Sequence, residues 1–375
     1  MIGLNNYLDL NAASSTYNSS FEGVESSESK TNQIASCLYS NIGKVENNEI
    51  QNVSPIKNAV FFSESMDFTK ATQPNSIGKA FEFMSTRIRG KRLDGISKKC
   101  DWFIASRAVR KNTEIPKTIF LSSYSPGNFS FFVDTILPTL KEDFVLIIAN
   151  SSKTFPVGDK SLRYKKFMTE DNLKRYPTLM ANKYLKCCFV ENLDRVRKGL
   201  QPLPLGMLPY NEIIKPLPRV SFRNRLTKAM CIQRQRKGPQ FKERSEVTKK
   251  SKTIWKEFVN YRGSCSRPEF LNYLKKHSFC ICVHGNGIDP SPKAWEALAM
   301  GCIPIVRHST LDQAYSRFPI AFVDSWDKKS ITLKKLQKWR DELRPRFEDP
   351  KLRAEVIKML SIDYWWDIIL SKLDS

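Results

Sequence analysis

From residue 100 onward, short apolar runs alternate with polar stretches of helical spacing. Trp102-Phe-Ile-Ala-Ser and Thr118-Ile-Phe-Leu-Ser read as short buried strands. Phe144-Val-Leu-Ile-Ile-Ala149 is continuously apolar, too short for a helix, and ends in Asn150-Ser-Ser, the pattern of a central parallel strand. Between them, Phe129–Leu140 carries apolar residues at helical spacing. Cys187–Val190 and Leu203–Gly206 predict two further strands. A second series follows: strands at Ala229–Ile232, Phe279–Val283, Cys302–Val306 and Ile320–Val323, with a helix ending near Lys276. The helix predicted over Pro292–Met300 has Ser291 as N-cap, Pro292 at its first position and Gly301 just past its end. Amphipathic helices are predicted over Thr332–Leu343 and Arg353–Leu370. Strands alternating with helices define an α/β chain.

Residues 1–60 show no such period. Asn and Ser each occur ten times there, and three Lys face six acids, so a disordered low-complexity tail is expected. Residues 61–99 are undecided, with a helix suggested around Gly78–Arg89. Prolines at 202, 204, 209, 216 and 218 mark a joint between two series of α/β elements. The expected organisation is an N-terminal Rossmann-like domain over 100–212, a C-terminal one over 213–345, and a C-terminal helix over 346–375 that packs back across both.

Charge changes the picture. Lys and Arg number 61 against 38 Asp and Glu, a net charge of +23, which favours anionic partners. Lys215–Lys256 alone holds 14 cations and two Glu. No uninterrupted apolar run reaches 18 residues, so no membrane-spanning helix is expected. The N-terminus has no basic, apolar leader pattern. The cytoplasm is therefore the expected compartment, or the Golgi lumen if the N-terminus is incomplete. Nine scattered cysteines form no Cys-x-x-Cys pair, and the three histidines lack ligand spacing, so buried thiols and no metal site are expected.

The stretch with chemical content is Val283-His-Gly-Asn-Gly-Ile-Asp-Pro-Ser-Pro-Lys-Ala-Trp-Glu. It puts a glycine loop between the carboxyl end of a strand and a helix N-terminus, a crevice suited to phosphate. Gly285 and Gly287 permit close backbone approach, Lys293 adds a cation in the first turn, and Glu296 can accept two ribose hydroxyls. Neither a dinucleotide fingerprint nor a P-loop is present, and no Asp-x-Asp metal motif occurs.

His284-Gly-Asn-Gly-Ile-Asp, Trp295-Glu-Ala-Leu and Gly301-Cys-Ile-Pro-Ile-Val together resemble the exostosin-type glycosyltransferases, glycosyltransferase family 47 and its relatives. Phe189-Val-Glu-Asn-Leu with Leu203-Pro-Leu-Gly-Met, and Leu137-Pro-Thr-Leu with Phe144-Val-Leu-Ile-Ile, support it. The resemblance covers about residues 115–345. It implies a GT-B fold, two Rossmann-like domains facing across a cleft, with the donor nucleotide in the C-terminal half. It also implies a donor site of Arg244, His284, Gly285, Asn286, Gly287, Asp289, Ser291, Lys293 and Glu296, with Lys293 in place of a family Arg. The chain departs from the family at Ser151-Ser152-Lys153, where an Asp often stands, which puts activity in question.

The leading expectation is an inverting, metal-independent glycosyltransferase. It would move a sugar from a nucleoside-diphosphate donor, a UDP-sugar first, to a glycan or glycoprotein acceptor, with no cofactor. Asp134, Asp159 and Asp194 are the candidate general bases. The alternatives are a silent glycan-binding relative, or a nucleic-acid-binding protein in which Phe222, Phe241 and Trp255 stack bases. Cutting at residue 60 is expected to leave the thermal midpoint nearly unchanged; a loss of several degrees in a melting scan would contradict the tail assignment.

Overall fold

The computed structural model describes residues 82–88, 93–158, 166–207, 221–234, 238 and 241–374. All fall in one compact unit, 58–375. The expected tail, Asp159, the prolines at 209–218, Arg236 and Lys237 lie outside the described residues.

Two separate sheets organise the chain. The first contains β1 (Trp102–Ala105), β2 (Ala108–Lys111), β3 (Thr118–Ser122), β4 (Phe144–Ala149), β5 (Leu185–Val190) and β6 (Leu200–Pro202), in the order β2-β1-β3-β4-β5-β6. Only the β1–β2 pair is antiparallel. β3 and β4 are buried at every residue, which is why they read as uninterrupted apolar runs. β2 left no such trace. It is an exposed edge strand, joined to β1 by Ser106 and Arg107, both at positive φ (52° and 55°), a hairpin turn without the usual Asn-Gly.

The helix expected over Phe129–Leu140 is broken. Helix α1 (Pro126–Phe131) passes into a π turn (Phe132–Ile136) and a 3-10 turn (Leu137–Thr139), because Pro138 has no N–H to continue the ladder. Helix α2 (Glu170–Met180) is capped by Thr169, whose Oγ1 accepts from the Asn172 N–H. The strand expected at Leu203–Gly206 stands instead at β6, three residues earlier.

The second sheet is parallel throughout: β7 (Leu226–Ile232), β8 (Val259–Arg262), β9 (His277–Ile281), β10 (Ile303–Arg307) and β11 (Ala321–Val323), in the order β11-β10-β9-β7-β8. Counted from its own first strand, the order is 2-1-3-4-5, a doubly wound Rossmann-like sheet. Helices α3 (Lys242–Lys252), α4 (Arg267–Lys276), α5 (Pro292–Ala299) and the short α6 (Asp312–Tyr315) make the crossovers. The Rossmann-like α/β expectation thus holds in both halves. The order reverses between β7 and β9, so the carboxyl ends of these strands form the crevice where open α/β sheets bind ligands.

After β11 the chain adds α7 (Leu333–Leu343), α8 (Pro345–Glu348), α9 (Pro350–Met359) and α10 (Ile362–Leu370). Ser361 splits the single helix expected over Arg353–Leu370, because its hydroxyl caps a new helix by accepting from the Tyr364 N–H. Trp365 is buried, and Trp295 of α5 donates its indole N–H to the Leu360 carbonyl.

The segment 82–86 is not helical, contrary to the helix suggested around it. It is extended and wedged between two partners: Met84 N–H donates to Leu360 O, and Met207 N–H donates to Met84 O. Tertiary backbone pairing, which no local pattern announces, decides its conformation. Gly206 makes the fit possible. It has φ +80°, and a Cβ there would lie 2.0 Å from the Met84 carbonyl oxygen. Gly206→Ala is expected to cost about 2–4 kcal/mol, from left-handed strain plus overpacking against backbone. Urea unfolding measures it; a loss under about 0.5 kcal/mol would contradict the wedge.

Candidate functional site

The loop from His284 to Ser291 leaves β9 at the switch point and feeds the N-terminus of α5. Its conformation is set from the first half of the chain. Asn192, two residues past β5, accepts through Oδ1 from the N–H groups of Ile288 (2.8 Å) and Asp289 (3.2 Å). Its Nδ2 donates to Ser151 O and Glu191 Oε1. Gly287 is required by this contact, since a Cβ there would sit 2.2 Å from Asn192 Oδ1. Asp289 closes the loop: it accepts from the N–H groups of Ser291 and Leu205 and from the Tyr315 hydroxyl (2.6 Å).

The loop borders a cavity of about 270 Å³. His284 to Ile288 line one side, Arg307 to Thr310 at the end of β10 another, and Asp194 and Glu243 complete the wall. This volume lies just under the usual range for small-molecule sites, room for a sugar or a diphosphate rather than a whole nucleotide sugar. Arg307 donates to Glu243 Oε1 (2.5 Å), and its Nη2 lies 3.3 Å from His284 Nδ1. A guanidinium only donates, so Nδ1 accepts and a neutral His284 carries its proton on Nε2.

The other expected donor residues, Arg244, Asp289, Ser291, Lys293 and Glu296, do not line this cavity. Arg244 donates to the His284 carbonyl (2.9 Å). Lys293 Nζ donates to Ile232 O (2.9 Å), placing its ammonium at the carboxyl end of β7, beside the switch point. Ser291 has φ +80° and makes no side-chain cap; its hydroxyl oxygen is buried without a hydrogen-bond partner, as is Asn286 Oδ1. Glu296 is 2% exposed and pairs with Arg267 at 2.5 Å, away from the cavity lining.

The three candidate bases separate. Asp134 is exposed and held by Arg175 at 2.8 Å, and it does not line the cavity. Asp194 lines the cavity and accepts the N–H groups of Val157 (3.0 Å) and Gly158 (2.6 Å). Asp159 lies outside the described residues. Where the resemblance led to an Asp after β4, Ser151 instead meets Ser123 Oγ at 2.7 Å and Lys153 donates to Tyr124 O. A carboxylate is supplied there from the next strand: Glu191 accepts from the Asn150 N–H, Thr86 and Arg87.

Sequence reasoning missed Glu243, Arg307, His308, Ser309, Thr310 and the anchoring Asn192. The signal for Arg307 to Thr310 was their place just beyond an apolar strand in a parallel sheet. No group of three or more potential metal ligands occurs among the described residues. Seven of the eight described cysteines are buried, and none forms a disulfide. Burial pushes the Cys187 thiol up to about 11.

Burial also raises the carboxyls of Glu191 and Asp289 above their ordinary range, with Arg87 opposing the shift at both. A raised folded-state carboxyl stabilises the fold below its unfolded pKa and loses that stabilisation as pH rises through the folded value. Wild type should therefore gain stability relative to Glu191→Gln as pH falls from 7 into the carboxylate range. Denaturant unfolding at both pH values reads it; a gain with rising pH would reverse the assignment.

No family model and no curated protein matches the chain. Solved structures show weak likenesses. TarM has a TM-score of 0.38 at 12% identity, over 69% of this chain and 55% of its own, so the chain spans about half of it. Sucrose-phosphate synthase (tll1590) from Thermosynechococcus elongatus has a TM-score of 0.38 at 12% identity, over 68% and 73%. Spinosyn rhamnosyltransferase SpnG complexed with thymidine diphosphate has 0.33 at 12%, over 65% and 69%. Likeness at this level establishes neither activity nor ligand; the α/β class rests on the chain's own two sheets.

Proposed function

We propose that the chain is a GT-B, exostosin-like glycosyltransferase that transfers a sugar from a nucleoside-diphosphate donor to a glycan or glycoprotein acceptor. The observation that supports it most is the convergence at the β7–β9 switch point. The Lys293 ammonium, Arg244 and the loop 284–291 meet there, beside a cavity that both halves line. Such a crevice stabilises a leaving diphosphate with cations and helix-terminal N–H groups, without a metal. The donor's sugar or diphosphate occupies the cavity and its nucleoside lies outside it. A UDP-sugar is the first donor to test, and inversion by one displacement the first mechanism.

The nucleic-acid alternative loses its stacking residues. Phe222, Phe241 and Trp255 are 4%, 2% and 0% exposed and offer no face to a base. They are core: Phe222 stacks on Phe347, and Trp255 donates its indole N–H to Lys328 O.

Thermal-shift screening against UDP, GDP, dTDP and ADP, with their nucleosides as controls, tests the reading. Selective stabilisation by one diphosphate is expected, near 2.7 kcal/mol at about a hundred times the dissociation constant. No response to any diphosphate, with stabilisation by single-stranded oligonucleotide alone, would reject it.

A further inference from the structure

We propose that His308 is the general base of the transfer and that Asp312 positions it; the inference rests on the glycosyltransferase reading above. His308 follows β10 and lines the cavity. Its Nδ1 lies 2.6 Å from Asp312 Oδ2. The other Asp312 oxygen accepts the Ser309 N–H at 2.8 Å, so the carboxylate is itself fixed. The imidazole face is fixed as well, stacked on Phe322 at 4.9 Å and 12°. A carboxylate accepts, so Nδ1 carries the hydrogen and the neutral ring keeps its Nε2 lone pair for a substrate proton. A base oriented by a second group recurs wherever a hydroxyl must be activated near neutral pH.

Other titratable groups fit this role less well. His277 is buried and bonded at both ring nitrogens, to Asn260 and to the Tyr273 carbonyl. His284 Nδ1 faces Arg307, and Glu243 is paired with that same arginine. Each oxygen of Asp194 accepts a backbone N–H, a clamp on the cavity wall. The charged and titratable groups sharing the cavity with His308 are thus Asp194, Glu243, His284 and Arg307, with Asp312 behind the ring.

The step balances without a metal or redox partner. The acceptor hydroxyl gives its proton to Nε2. Its oxygen pair bonds the anomeric carbon. The bond from that carbon to the diphosphate oxygen breaks, and its electron pair leaves with the nucleoside diphosphate. The imidazolium then releases its proton to water.

The test measures two things on the full chain: UDP binding by calorimetry, and hydrolysis of UDP-glucose, UDP-galactose, UDP-xylose and UDP-N-acetylglucosamine with water as acceptor. His308→Gln should bind UDP within about twofold of wild type. It should hydrolyse the donor about a hundredfold more slowly or worse. Asp312→Asn should lower kcat with the donor KM little changed, since the Nδ1–H loses the fixed acceptor that orients the ring, and Asp312→Glu should restore it. UDP binding with a wild-type hydrolysis rate in His308→Gln overturns the inference alone. Wild type that binds none of UDP, GDP, dTDP and ADP and hydrolyses none of these donors overturns the glycosyltransferase reading and the inference with it.

Discussion

Glu296→Ala should lower the unfolding free energy by about 3–5 kcal/mol, among the largest single effects expected in the chain. The carboxylate is 2% exposed, and its Oε1 lies 2.5 Å from Arg267 Nη1, a side chain itself largely buried. Removing one partner of a buried ion pair leaves the other to bear its desolvation with less compensation. Glu296→Gln keeps the shape and should cost less. Guanidinium unfolding of both variants gives the numbers. An alanine variant within about 1 kcal/mol of wild type would show that the pair is not a structural element, and would leave ribose binding as the role of Glu296.

Asn192→Ala should be comparably severe. It strips the acceptor from the buried N–H groups of Ile288 and Asp289, and each lost partner costs roughly 1–3 kcal/mol. It also frees the loop whose Gly287 packs against that side chain, so ligand binding should weaken along with stability. Amide hydrogen exchange of 285–290 is the direct readout. Protection unchanged from wild type would mean that the loop holds its shape without Asn192.

The fold was legible where burial is two-sided. β3, β4 and β10 sit inside parallel sheets, and their apolar runs gave them away within a residue or two. β2 and β8 carry polar, partly exposed residues, and the 82–86 segment is held only by distant backbone partners, so local pattern could not find them. At the site, the loop 284–291 was visible because glycine, proline and a cation cluster at a strand-to-helix junction. Its wall was not. Asn192 with Asp194, Glu243, and His308 come from three distant stretches, and only the packing of the two halves gathers them. Lys293 and Glu296 were read correctly as members of one helix, but the sequence could not say that Lys293 reaches Ile232 while Glu296 turns to Arg267.

The central claim is that a diphosphate binds at the β7–β9 switch point. Calorimetric titration of wild type and Lys293→Ala with UDP and with uridine tests it most directly. UDP affinity should fall about ten- to hundredfold, the equivalent of roughly 1.5–3 kcal/mol for one charged hydrogen bond, while uridine binding changes little. Equal UDP affinity in the two proteins, measured with the variant folded, would contradict it.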